Sequence, residues 1–223
     1  MSHAQSLTDA NKKVDGEWIS YRDAYKAMVW FEKYGKSKHL IQNRFQIVAK
    51  DKTVNFENLR LSLNAQSSVM SLSLDVLGQT QLPLLKAVYN ENAELYIVPK
   101  IGQFSYRSRV SIQVRADSNY DYADLKQACE QTLNYLGSLD PSSVAGKKCS
   151  GIKFGFDKRE TNAGVEVRSN NQTISSLAII DNGIIWADSN VNLKVAQFNF
   201  NSTNDKVHLL TRITPTVIVA VIE

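Results

Sequence analysis

Leu59-Arg60-Leu61-Ser62-Leu63, followed by Met70-Ser71-Leu72-Ser73-Leu74, is the stretch that decides the fold of this chain. Every second residue is apolar, and the residues between are polar or charged. That period of two puts the leucines on one face of an extended strand, with Arg60, Ser62, Ser71 and Ser73 on the other. Two such runs in succession read as antiparallel strands with one buried and one wet face. The pattern continues in both directions. Phe45, Ile47 and Ala49 alternate upstream, and residues 95–98 and 104–114 predict two further strands. In the latter, Phe104, Tyr106 and Ser108 share a parity that Val110, Ile112 and Val114 continue. Beyond Cys149, Ile152, Phe154 and Phe156 alternate, as do Val165 and Val167, and strands are expected around Phe198 and Phe200 and over residues 207–213. Val217–Ile222 is apolar on both faces, the pattern of a strand central to a sheet. Asp181-Asn182-Gly183 lies between apolar runs and reads as a type I′ hairpin turn, whose central positions need positive φ.

Two segments change period from 2 to 3.6. Residues 21–34 predict a helix with Ser20 as N-cap, Gly35 as C-cap and a broad stripe of Tyr21, Ala24, Tyr25, Met28, Val29 and Phe31. Trp18 and Trp30 flank or interrupt this element and are expected in the core. Residues 122–136 predict a second helix, with Asp121 as N-cap and Leu125, Cys129, Leu133 and Leu136 on one face. Gly137 is its expected C-cap. The expected fold class is therefore α+β and mainly β. Two antiparallel β-sandwich-like units are joined by a helix and preceded by an N-terminal helix. The boundaries fall at 1–39 for the tail and first helix, 40–120 for the first β-unit, 121–148 for the connecting helix and loop, and 149–223 for the second β-unit. Ser71-Leu72-Ser73-Leu74 precedes Gly78 by the spacing with which Ser176-Leu177-Ala178-Ile179 precedes Gly183. This suggests an internal repeat; the alternative is that all β-meanders alternate and turn at glycine.

The 223 residues carry 26 basic and 22 acidic side chains, a net charge of +4 spread along the chain. A nucleic-acid binder concentrates its cations, so nucleic acid is not an expected partner. The longest apolar run, Val217–Ile222, falls far short of the ~20 residues of a membrane-spanning helix. Ser2-His3-Ala4 before Gln5 reads either as the end of a secretory signal peptide cleaved after Ala4 or as vector residues. Only two cysteines are present, Cys129 and Cys149, and the histidines are His3, His39 and His208. The histidines have no ligand spacing, so a disulfide is expected in place of a metal or redox site, and no cofactor is implied.

Gly-x-Ser-x-Gly, His-Glu-x-x-His, Gly-x-Gly-x-x-Gly and the phosphate-binding loop are all missing from the sequence. Asp75, Glu91, Glu94, Asp117, Asp121, Asp124, Asp157 and Glu160 are candidate carboxylates for a hydrolase, though most sit where caps and turns use them. Arg107, Arg109 and Arg115 share a parity opposite Val110, Ile112 and Val114 and form a candidate anion-binding face. The alternative is a solvated strand face with acidic neighbours.

The run Leu72-Ser73-Leu74-Asp75-Val76-Leu77-Gly78-Gln79-Thr80-Gln81-Leu82-Pro83, then Tyr89, Glu94-Leu95 and Phe104-Ser105-Tyr106-Arg107, resembles uncharacterised exported proteins of Gram-negative bacteria, a domain-of-unknown-function group. Cys149-Ser150-Gly151-Ile152-Lys153-Phe154, Pro215 and Val219-Ala220-Val221-Ile222-Glu223 resemble the same group, which would cover most of residues 59–223. The resemblance implies an envelope location and brings no catalytic residues. The functional expectation is a non-enzymatic periplasmic or secreted binding or structural protein, with an envelope protein or anionic envelope polymer as partner. The rivals are a carboxylate-based envelope hydrolase, a periplasmic chaperone, and a cell-surface adhesin or inhibitor subunit.

Overall fold

The alternating runs become strands in a computed structural model that describes residues 13–14, 18–170, 172–200 and 206–223. Ser2-His3-Ala4 lies outside the described residues. The described chain is mainly β, with three antiparallel sheets and four α-helices. It divides into two units, one of Met1–Gly35 and Asn43–Arg109, the other of Lys36–Gln42 and Val110–Glu223.

The first unit holds strands β1 (Lys13–Val14), β2 (Trp18–Ser20), β3 (Ile41–Ala49), β4 (Arg60–Asn64), β5 (Val69–Ser73), β6 (Gln79–Thr80), β7 (Glu94–Val98) and β8 (Phe104–Ile112), with helices α1 (Tyr21–Lys33) and α2 (Lys86–Asn90). The boundary between units passes through β3 and β8. One sheet runs β2-β7-β4-β5. The inward parity predicted for the leucines holds: Leu61, Leu63, Leu95 and Ile97 are buried, and Ile19 joins them from β2. They meet Tyr21, Ala24 and Met28 of α1 and Phe45, Ile47, Phe104 and Tyr106 of β3 and β8 in one apolar cluster. The Phe45 and Tyr106 rings stack at 5.4 Å between centroids.

Trp18 and Trp30 are not core residues; they are 44% and 59% exposed. The buried stripe of α1 is Tyr21, Ala24, Met28 and Phe31, and the 3.6-residue period carries Trp30 to the opposite side. Trp18 precedes the helix as a strand residue, so helical spacing does not apply to it. Gly35 is not the cap either, because α1 ends at Tyr34 in extended conformation. Asp75-Val76-Leu77-Gly78 forms a tight turn onto β3. Gly78 donates to the Asp75 carbonyl at 2.9 Å and its own carbonyl accepts from Ile47 at 2.8 Å. Its φ is +70°, and an added Cβ would stand 2.7 Å from the Ile47 oxygen, so only glycine fits.

The second unit holds β9 (Asn119–Asp121), β10 (Cys149–Phe156), β11 (Val165–Ser169), β12 (Gln172–Ser176), β13 (Ile179–Ile184), β14 (Asn192–Asn199), β15 (His208–Thr211) and β16 (Val217–Ile222), with α3 (Tyr122–Leu139) and α4 (Pro141–Val144). Its strands order as β13-β14-β10-β16 and β12-β11-β15-β9. β16 is internal, between β10 and the Ile112 end of β8, as its two apolar faces predicted. Tyr120 of β9 meets Phe154 of β10 edge-on at 5.6 Å. Helix α3 belongs to this unit and packs on β10 and β16.

Two turn expectations change here. Asp181-Asn182-Gly183 is not a hairpin turn. It lies inside β13, where the register with β14 shifts between Ile180 and Gly183. Asn182 takes the positive φ of 58°, and Gly183 lies so close to β14 that a Cβ would stand 2.7 Å from Val195. The Asn-Gly pair makes a β-bulge, a device that needs the same backbone freedom as the turn. The Ser176 segment, compared above with Ser71–Leu74 in sequence, crosses from β12 to β13, whereas residues 71–73 lie within β5. Gly137 does not end α3, which continues to Leu139. It sits where α4 packs, with 3.0 Å from an added Cβ to a Val144 methyl. Asp140 then caps α4, accepting from the Ser142 N–H at 3.0 Å.

Candidate functional site

Since β4 buries Leu61 and Leu63, its alternate residues Arg60, Ser62 and Asn64 must face outward, and antiparallel register extends that face across the sheet. Trp18 of β2 lies opposite Tyr96 of β7, Tyr96 opposite Ser62 of β4, and Ser62 opposite Ser71 of β5. One row thus reads Trp18, Tyr96, Ser62, Ser71. The row on one side reads Ser20, Glu94, Asn64, Val69, and on the other Val98, Arg60, Ser73. With strands ~4.8 Å apart, a four-strand row spans about 14 Å.

This face is ordered by its own hydrogen bonds. Ser62 donates to the Asn64 side-chain oxygen at 2.8 Å. The Tyr96 hydroxyl donates to the Glu94 carboxylate, and that bond holds the phenol above its usual pKa. Beside these residues lies an open depression of about 350 Å³ lined by Ser62, Asn64, Tyr96, Ile97, Val98, Pro99 and Lys100. An exposed tryptophan and a tyrosine flanked by small polar side chains and a cavity make a surface suited to holding a polar ligand with apolar faces. The sequence already contained half of this site, since Arg60, Ser62 and Asn64 share the outward parity. The aromatic half was missed because only the pairing of β2 with β7 brings Trp18 beside Tyr96.

The candidate residues named from sequence fall elsewhere. Arg107 and Arg109 lie on β8 in the first unit, where Arg109 donates to the Gln46 side-chain oxygen at 2.8 Å. Arg115 lies in the second unit beyond the end of β8. It makes two hydrogen bonds to Asp117, at 3.1 and 3.2 Å, and one to Asp124 at 3.3 Å. Its acidic partners come from the following turn and the first turn of α3.

Among the candidate carboxylates named from sequence, Asp75 is displaced upward, to about 6. Burial drives the shift, against N–H donors from Gln79 and Leu77 and the nearby charge of Arg44. Its Oδ1 accepts from Gln79 at 2.8 Å and Leu77 at 2.9 Å, which holds the 75–79 turn together. Asp157 pairs with Arg159, and Glu91 accepts the Ser67 N–H at 3.0 Å. His39 Nδ1 is 2.8 Å from Ser37 Oγ. The buried Gln131 of α3 donates to that hydroxyl at 3.1 Å and accepts from the Leu40 N–H at 3.0 Å, stitching this loop to the helix. His208 stands in β15 opposite Asp121. Among the described residues no cluster of three or more His, Cys, Asp or Glu side chains is placed to hold a metal.

Cys129 and Cys149 form a disulfide, with 5.9 Å between their Cα atoms. The bond ties the buried stripe of α3 to the first residue of β10. Among the described residues no helix is long and apolar enough to cross a membrane. No family model, curated protein or solved structure matches this chain.

Proposed function

We propose that this chain is a non-enzymatic, extracytoplasmic binding protein of the bacterial envelope, and that it holds its partner on the outward face of the β2-β7-β4-β5 sheet. The observation that carries the reading is the row Trp18, Tyr96, Ser62, Ser71 beside the depression at Val98 and Lys100. A solvated sheet face has no need of a tryptophan 44% exposed, because that side chain gives up burial worth about 2 kcal/mol or more. Placed against a ligand, the same area contributes to binding. The disulfide supports the location, since such bonds persist in oxidising compartments.

The test is retention of the full chain on isolated envelope fractions of a Gram-negative bacterium. Wild type is expected to sediment with them, and the Trp18→Ala, Tyr96→Ala double variant to stay in the supernatant. Both side chains lie on the outward face, so the variant should keep its circular dichroism spectrum. Equal sedimentation of the two proteins would refute the assignment of the face. Recovery of the native protein from the cytosol would refute the location.

A further inference from the structure

We infer that the free edge of β5 is a self-association surface, where a second copy of this chain adds its own β5 in antiparallel register to make one continuous sheet. This pairing is independent of what the outward face binds. An edge strand presents unpaired N–H and C=O groups, and proteins guard it by shortness, charge, proline or a bulge. Among the described residues, the other edge strands are guarded in these ways. β1, β2, β6 and β9 hold two or three residues each. The pairing of β12 with β11 is interrupted by a register shift, and so is that of β13 with β14. β5 has none of these devices. It is five residues long and pairs with β4 from Val69 to Ser73 without a shift. It lies in a run from Ala65 to Leu74 that holds no charge and no proline.

The ladder itself says which backbone groups are free. The Ala65 N–H donates to the Ser68 carbonyl at 2.8 Å. Bonded and non-bonded pairs alternate along an antiparallel ladder, so Met70 and Leu72 bond to Leu63 and Leu61 of β4. Val69, Ser71 and Ser73 then aim their N–H and C=O groups at the open edge. A two-fold axis at Ser71 matches these groups with their own copies: Val69 with the second copy's Ser73, and Ser71 with the second copy's Ser71. All five residues of the strand are paired in that register.

The side chains favour a second copy as the occupant. A two-fold pairing sets a strand against itself, so any charge near the axis would meet its like; β5 holds none. On the inner face the same axis brings Met70 against the second copy's Leu72. Both side chains pack on the apolar cluster of this unit yet remain only half-buried, as they would at an edge awaiting a neighbour. On the outer face Val69, 72% exposed, gains the second copy's Ser73 as a neighbour. Each copy offers one such edge, so the pair closes as a dimer and does not run on into a fibre. The joined sheet has eight strands, and at ~4.8 Å per strand Tyr96 of one copy stands about 24 Å from Tyr96 of the other, on the same face.

Sedimentation velocity of the full chain from about 1 to 200 µM tests this, because a five-residue strand pairing is a small interface with a Kd on the order of micromolar. The wild type is expected to pass from 25.0 kDa to twice that mass as concentration rises. Ser71→Lys puts two ammonium groups at the axis and should raise the dimer Kd about tenfold or more, with an unchanged circular dichroism spectrum. Cross-linking locates the contact without relying on that variant. Both native cysteines are in the disulfide, so Ser71→Cys introduces the one free thiol. A short bismaleimide should join two such chains, whereas Ser20→Cys, on β2 at the far edge of the sheet, should stay uncoupled. A wild type that remains at 25.0 kDa throughout would overturn the pairing. So would a dimer that fails to cross-link through Ser71→Cys, which would place the contact elsewhere, or a series of larger species in place of a closed pair. None of these results bears on envelope retention through Trp18 and Tyr96, so the binding face and the dimer edge stand or fall separately.

Discussion

Removal of the disulfide should lower the melting temperature by about 12 °C, and the number follows from where the bond sits. Cys129 and Cys149 are 20 residues apart, so the bridge closes a loop of about that length. In the chain-entropy treatment, a closed loop of ~20 residues removes about 11 cal/mol/K from the unfolded ensemble, or about 3 kcal/mol at 25 °C. The bridge lies within the second unit, which holds roughly 120 residues. At about 2.1 cal/mol/K per residue, such a unit has an unfolding entropy near 0.25 kcal/mol/K, and 3 kcal/mol divided by that value gives about 12 °C. Cys129 is fully buried, so the replacement must be small and apolar; the Cys129→Ala, Cys149→Ala double variant avoids leaving a lone thiol. Differential scanning calorimetry of the oxidised wild type, the wild type held in reductant and the double variant supplies the comparison. The reduced protein and the variant should melt within a few degrees of each other, both well below the oxidised form. A double variant that melts with the oxidised wild type would refute the loop-closure reasoning. Two freely alkylated thiols in the native, unreduced protein would refute the bond.

Asp75 should make the protein more stable as pH falls from about 6 toward 4.5. Its folded-state pKa, about 6, lies above its ordinary value of 3.8, so the fold favours the protonated acid and loses stability as pH rises through that window. The upper bound is about 3 kcal/mol. Urea midpoints of wild type should therefore fall between pH 4.5 and 7, and the Asp75→Asn variant should lose most of that slope; parallel slopes would contradict it. Asp117, Asp157 and Glu166 are shifted downward by their arginine and hydroxyl partners, so they oppose this trend only at lower pH. Gly78→Ala should destabilise by more than the ~1 kcal/mol of an ordinary glycine replacement, because positive φ and the Ile47 oxygen at 2.7 Å both resist a Cβ. Chemical denaturation would read this directly, and a neutral result would mean that the 75–79 turn can rearrange.

The alternation of Leu59, Leu61 and Leu63 against Arg60 and Ser62 determined by itself which face of β4 is wet, because side-chain direction along a strand is a local property with period 2. The apolar run at Val217–Ile222 likewise marked an internal strand, and the lone cysteine pair marked a disulfide before any partner strand was known. Where the sequence misled, the missing information was contact with another element. Asn182-Gly183 carries the backbone freedom of a hairpin turn, but the nearness of Val195 on β14 makes it a bulge. Gly137 has the look of a helix end, and the packing of Val144 puts it inside α3. Trp18 is apolar, yet β2 has its other face filled by Ile19, so the tryptophan is left outside. The candidate site itself is a tertiary object. Trp18, Ser62, Ser71 and Tyr96 come from four strands in the order β2-β7-β4-β5, an order that follows neither chain sequence nor any local pattern. The sequence sets which way each side chain points; only long-range register decides which side chains become neighbours.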